Sequence, residues 1–368
     1  MSRSAFWLVI SVALLFSFGL LMIFNTTAAQ IIDRSLDLST HTVLFKQLFY
    51  GVIGALFGLA IQKLGYHNLL KVSAPCLVVG TILLALLFVP GIGQTVNGAR
   101  RWLSFLGFSF QPSECIKILI PAVYIQWVLK QPTPIAWKPF LKIVGALSIP
   151  MVLILLEPDN GTTAIITLVL MVLFLLTRIR WLYWMLPFCS LIILASIAAY
   201  HMPHVPDRIR IYLHPELDLR GKGHQPYQAK IAAGSGGLWG RGLGESLQKL
   251  NYLPEARNDY IAAIYAEETG FIGILGLIGL YISFSYAGFL VALRASDKGG
   301  FLLASILTFL ISIQAFLNLG IVSGLLPSKG MTLPFFSQGG TSLMVNLIIL
   351  FILLDISRKS KQEIWSDS

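Results

Sequence analysis

The amino-acid sequence predicts an all-α polytopic membrane protein, with about ten transmembrane helices and one large extracytoplasmic loop between the seventh and eighth. Three observations predict it. Of the 368 residues 56% are hydrophobic and only 12% are charged, and the mean hydropathy of +0.76 exceeds what a soluble globular domain carries. Apolar runs of about twenty residues, the length that crosses a hydrocarbon core as a helix, recur along the chain. Lys and Arg gather in alternate connections between those runs. The formal charge of +10 therefore reads as an orientation signal, and a nucleic-acid surface is excluded as its explanation.

The runs lie near 5–25, 44–62, 70–90, 113–130, 139–156, 161–177, 181–201, 260–293, 300–325 and 339–357. The first follows Arg3 and ends near Ala28-Ala29, a weak cleavage site. Its apolar core, roughly twenty residues against about 7–15 in a secretory signal, is too long, and further runs follow, so it is kept as a helix. Pro112-Ser113-Glu114 reads as the start of the fourth helix, with Glu near the positive end of the dipole. EPDNGTT, from Glu157 to Thr163, reads as a tight turn in which Asp159 or Asn160 caps the sixth helix. The eighth run is too long for one straight crossing, which predicts that its first turns project from the membrane or that it tilts steeply. Between the ninth and tenth, GLLPSKGMTLPFFSQGGTSL (Gly324 to Leu343) reads equally as a long hairpin or as irregular backbone lining a cavity. Cys76, Cys115 and Cys189 sit in apolar runs without metal-ligand spacing, so they read as small buried hydrophobes and no disulfide is expected.

One set of connections holds Arg3, Lys63, Lys71, Lys130, Lys138, Lys142, Arg178, Arg180, Arg294, Lys298, Arg358, Lys359 and Lys361; the short loops of the other set hold Arg34, Lys46, Arg100, Arg101 and Lys329. The positive-inside rule places both termini in the cytoplasm and the long segment 202–259 outside. Residues 1–368 thus form a single membrane domain, and 202–259 is its large extracytoplasmic loop. That loop is short and glycine-rich around GSGGLWGRGLG (Gly234 to Gly244), so it should lie on the helix bundle with a short helix or two. The tail from Ser357 is a solvated end.

Ionisable groups at membrane depth are costly and therefore informative. Asp259 stands where the outer segment meets the eighth run. It reads evenly as an N-cap or as a carboxylate available for chemistry. Pro254 and Glu255 resemble a first helical turn, which would leave Asp259 inside the helix. Lys249, Arg257, Arg208 and Arg210 would favour its ionised form and could hold an anion. Glu114 and Lys117, at i, i+3, share one helix face and could form an ion pair, structural or within a substrate cavity with even weight. Arg100 and Arg101 lie on an outer loop.

The ordered motifs NGARRW (Asn97 to Trp102), QPSE with Lys117 downstream, EPDNGT, GGLWGRGLG, KLNYLPE with Asp259 and EETG (Glu267 to Gly270), and LPSKGMTLPFFSQGGTS together resemble the SEDS family, the bacterial shape, elongation, division and sporulation proteins. The resemblance covers nearly the whole chain. KLNYLPEA and LPSKG-x-TLPFFS look more like the division branch than the elongation branch. The chain departs from the family pattern at Arg257-Asn258, where His-Thr is common, at Tyr260, where Phe is common, and at Gln338, where Tyr is common.

The resemblance implies a ten-helix fold and a peptidoglycan glycosyltransferase that polymerises lipid II at the outer face of the bacterial cytoplasmic membrane. It assigns the essential acid to Asp259. It also implies a class B penicillin-binding protein transpeptidase as partner, with other divisome membrane proteins, at the division septum. Arg100, Arg101, Lys117 and Lys249 are candidates for binding the pyrophosphate or the acceptor. Glu114 and Glu255 complete the candidate substrate-binding set, and a divalent cation, Mg or Mn, could substitute for or assist the cations. A lipid II flippase is the alternative of a different class, and a non-catalytic scaffold that recruits the transpeptidase is a third.

Overall fold

The computed structural model describes residues 2–34, 40–96, 99–105, 108–200, 212–219, 221, 223–249, 256–327 and 330–366. Within them lie eleven α-helices and one small sheet. In order these are α1 (Arg3–Arg34), α2 (Thr40–Leu64), α3 (Tyr66–Leu86), β1 (Gly93–Val96), β2 (Ala99–Phe105), β3 (Phe108–Phe110), α4 (Pro112–Val128), α5 (Trp137–Leu156), α6 (Asn160–Leu176), α7 (Trp181–Tyr200), a 3-10 turn (Pro215–Asp218), α8 (His224–Ser235), α9 (Ile261–Leu293), α10 (Lys298–Val322) and α11 (Gly340–Ser366).

Each expected apolar run falls on one helix, and α1, α2, α3, α5, α9, α10 and α11 are long and apolar enough to cross a membrane. The protein is a multi-pass membrane protein. Two-thirds (67%) of the apolar windows of α10 and α11 is enclosed by protein, against 22% for α2 and α5, so α10 and α11 form the middle of the bundle. Within 202–259, α8 packs on α9 and α10.

Local chemistry explains several boundaries. Asp159 caps α6, its carboxylate accepting from the Thr162 N–H at 3.2 Å and the Thr162 hydroxyl at 2.9 Å, which satisfies a donor the helix leaves open. Asp297 caps α10 in the same way, accepting from the Gly299 and Gly300 N–H groups.

Four expectations are corrected. The connection before α4 is a three-stranded antiparallel sheet, with Gln94 opposite Trp102 and Ser104 opposite Ser109. The length of α9 is resolved by a break, not by tilt alone: Gly270 adopts φ 69°, ψ −166°, a backbone region open essentially to glycine. Helix α9 begins at Ile261 after Tyr260, so Asp259 lies in the preceding turn and not inside the helix. Cys76 and Cys189 are exposed on the bundle surface, and Cys115 is half-buried. Lipid tails are as apolar as a protein core, so hydrophobicity alone does not say which side of a spanning helix a residue occupies.

Candidate active site

A cavity of about 560 Å³ opens among α2, the sheet, α4, α6, α10 and the loop before α11. Every helical residue that lines it sits in the half of its helix remote from the Lys- and Arg-rich connections. Asp259, in the turn before α9, reaches this cavity, as do Arg101, Glu114 and Lys117.

Helix α4 contributes the ion pair expected from its i, i+3 spacing. Lys117 Nζ lies 2.8 Å from Glu114 Oε2, and both side chains are buried. Lys117 also donates to Gln314 Oε1 at 3.0 Å. Gln314 in turn donates to the Thr332 carbonyl at 2.9 Å, and Asn318, one turn further along α10, donates to the carbonyls of Asp259 (2.9 Å) and Met331 (2.6 Å). Two amides at i, i+4 on one apolar helix therefore fix the irregular 330–332 backbone and the turn bearing Asp259. Such backbone survives at this depth because protein groups satisfy it. Gly330 sits beside the carboxylate: a Cβ there would lie 3.5 Å from Asp259 Oδ2.

Strand β2 contributes Arg101. Its Nε donates to the Glu157 carbonyl at 3.1 Å and a terminal nitrogen to the Pro158 carbonyl at 2.6 Å. Neutral carbonyls orient the guanidinium without cancelling its charge. Burial pushes the Glu157 carboxyl up to about 8; the neighbouring Asp159 adds to the rise and Arg101 opposes it. Both Glu157 carboxyl oxygens are enclosed without a hydrogen-bond partner among the described residues.

The remaining candidates are distributed elsewhere. Arg100 is exposed, and the cavity is reached instead by Ala99 and Arg101 on either side of it, as strand alternation requires. Lys249 is not in the lining: its ammonium is buried against Glu268 Oε1 (2.9 Å), Asn25 Oδ1 (2.8 Å) and the Gly244 carbonyl. Glu255, Arg208 and Arg210 lie outside the described residues, as do Pro254 and Lys329. Sequence reading passed over Lys46, Gln314 and Asn318 as site residues, although all three interrupt apolar helices; Lys46 adds a third cation to the lining. Among the described residues no three His, Cys, Asp or Glu side chains converge as metal ligands.

Fold and site thus define a multi-pass membrane protein with a polar cavity at one end of its bundle, where cations and a carboxylate face common space. The chain belongs to the cell cycle protein family of FtsW, RodA and SpoVE, whose profile matches residues 6–362; this is the SEDS family that its motifs resemble. It is 35% identical to the probable peptidoglycan glycosyltransferase FtsW of Trichlorobacter lovleyi, over 95% of this chain and 92% of that protein. It is 34% identical to that of Nitrosomonas europaea, over 96% and 92%. A solved chain from work on structural coordination of polymerization and crosslinking by a peptidoglycan synthase complex superimposes with a TM-score of 0.78 at 25% identity, covering 96% of this chain and 98% of that one. The rod shape determining protein RodA of Thermus thermophilus shares the fold, with a TM-score of 0.68 at 24% identity over 96% of each chain.

Proposed function

We propose that this protein is a peptidoglycan glycosyltransferase that polymerises lipid II into glycan strands during cell division. The observation that carries the reading is the meeting of Asp259 with Arg101, Lys117 and Lys46 in one cavity. Polymerisation joins the 4-hydroxyl of one lipid-linked sugar to the anomeric carbon of another. Asp259 takes the hydroxyl proton as general base, the new C–O bond forms, and the bond from the anomeric carbon to the pyrophosphate breaks. A glycosidase needs a second carboxyl to protonate its departing sugar oxygen. Here the leaving group departs as an anion, so cations replace that acid. Arg101 suits this role because neutral carbonyls orient its charge. A single displacement inverts the anomeric centre. A divalent cation, Mg or Mn, would be held chiefly by the pyrophosphate oxygens with one or two carboxylates, as is usual for Mg.

The cavity lies at the end of the bundle opposite the basic connections, which supports an outward-facing site with both termini in the cytoplasm. It also weighs against the flippase reading, which requires a polar path reaching both faces. A class B penicillin-binding protein transpeptidase is the proposed partner, with other divisome membrane proteins at the septum.

The test is glycan synthesis from purified lipid II by this protein co-purified with its cognate transpeptidase, native against Asp259→Ala, with moenomycin present to silence unrelated polymerases. Glycan ladders from the native complex that vanish in the variant support the reading. No ladders from either, with lipid II still crossing liposome membranes, would transfer the assignment to the flippase.

A further inference from the structure

The break at Gly270 is mended by the glycine-rich loop. In an unbroken helix the N–H groups of Phe271 and Ile272 would donate to the carbonyls of Glu267 and Glu268. Here they donate to the carbonyls of Gly237 (2.9 Å) and Leu238 (3.3 Å), while the Glu267 and Glu268 carbonyls accept from the N–H groups of Arg241 and Gly242, each at 3.0 Å. The loop backbone is spliced into the helix. A Cβ on Gly236 would come within 2.2 Å of the Ala266 carbonyl, and one on Gly240 within 2.1 Å of the Glu268 carbonyl, so the approach depends on glycine.

This splice carries large apolar side chains outward. Leu238, Trp239 and Leu243 are 64%, 79% and 63% exposed, and beside them on α9 Phe271, Ile272 and Leu275 are also exposed. The depth of the splice follows from helix geometry. From Phe271 to Leu293 at ~1.5 Å per residue is about 33 Å, close to the ~30 Å thickness of a hydrocarbon core. With Leu293 at one boundary, beside Arg294 and Lys298, the splice falls at the other. That is the zone where Trp is enriched in membrane proteins.

We propose that the loop 236–243 is a membrane-inserted element, with Leu238, Trp239 and Leu243 sunk into the headgroup and acyl boundary of the leaflet at the cavity end of the bundle. The occupant of this surface is lipid, because the apolar face is continuous with the lipid-facing side of the spanning part of α9. Arg241, partly exposed and 3.6 Å from Glu267, remains at headgroup level.

The test uses the full chain in lipid nanodiscs, with Cys76, Cys115 and Cys189 replaced by Ala and a nitroxide attached in turn through Trp239→Cys, Leu243→Cys, Phe271→Cys and Lys130→Cys. Collision with oxygen relative to a water-soluble nickel chelate is expected to be similar at positions 239, 243 and 271, and several-fold above that at 130. A ratio at 239 and 243 matching that at 130 places the loop in water and overturns the proposal. Low collision with both reagents means that protein covers the surface and overturns it equally. A second measurement leaves the cysteines intact: lipids brominated along the acyl chain should quench the native chain more than the Trp239→Phe variant. Equal quenching rejects insertion.

Discussion

The cavity and the cluster around Lys249 are built from the same residue types, and the contrast between them separates a reactive site from a fastener. In the cluster, Glu268 accepts from Asn25 at 2.8 and 2.6 Å and from Lys249 at 2.9 Å. Glu267 accepts from the Ser246 hydroxyl at 2.5 Å and from the N–H groups of Leu247 and Gln248. Both carboxylates are sealed, 1% exposed, and they tie α1, the loop and the first half of α9 together. In the cavity, Asp259 and Lys46 border open space and Arg101 meets neutral carbonyls. A fully satisfied polar network rigidifies; charged groups that border open space can meet a ligand.

The sharpest way to break this contrast is Asp259→Asn. It should lower glycan polymerisation by ~10²- to 10⁴-fold, the usual contribution of general base catalysis, with the melting temperature in detergent unchanged. Full polymerase activity in that variant would remove Asp259 from the chemistry.

Lys249→Met should do the reverse. It strands Glu268 as a buried, uncompensated charge, at a cost of ~3–5 kcal/mol in stability, while protein that stays folded keeps its KM for lipid II. Adding Glu268→Gln should recover part of the lost melting temperature. A KM change without destabilisation would return Lys249 to the substrate site.

Glu157 sharpens the comparison through pH. Its folded pKa, about 8, is raised above the ordinary 4.5. Its contribution to stability is therefore fully present below about 4.5 and is lost as pH rises through about 8. Glu157→Gln should flatten that slope, gaining up to ~5 kcal/mol over native at alkaline pH. Parallel melting-temperature curves for the two proteins across that range would show the carboxyl to be ordinary.

The smallest effect is expected from Arg101→Met. Loss of one charge-assisted contact should raise the KM for lipid II by about tenfold, with melting temperature little altered. If stability fell instead with KM unchanged, Arg101 would belong with the fasteners.

Much of this site is legible locally. The Glu114–Lys117 pair follows from i, i+3 spacing and the Asp159 cap from its place before α6, because both depend on neighbours within one helical turn. The sheet had a local signal too, in the Asn97-Gly98 pair preceding β2, a dipeptide favoured in hairpins. Lys46, Gln314 and Asn318 were visible as polar breaks in apolar helices, but nothing nearby in the chain says what they face.

Hydropathy determined where the apolar helices lie, because a backbone in lipid must satisfy its own hydrogen bonds and so crosses as helix. Packing decided the rest. Lys249 is ten residues from Asp259 in the chain yet is committed to Glu268 and Asn25, whereas Lys117, far away in sequence, shares the cavity with the carboxylate. The break at Gly270 likewise acquires its meaning only from the loop that fills it. Lipid and protein core are equally apolar, so which face of a helix turns inward is set by contacts between segments distant in the chain.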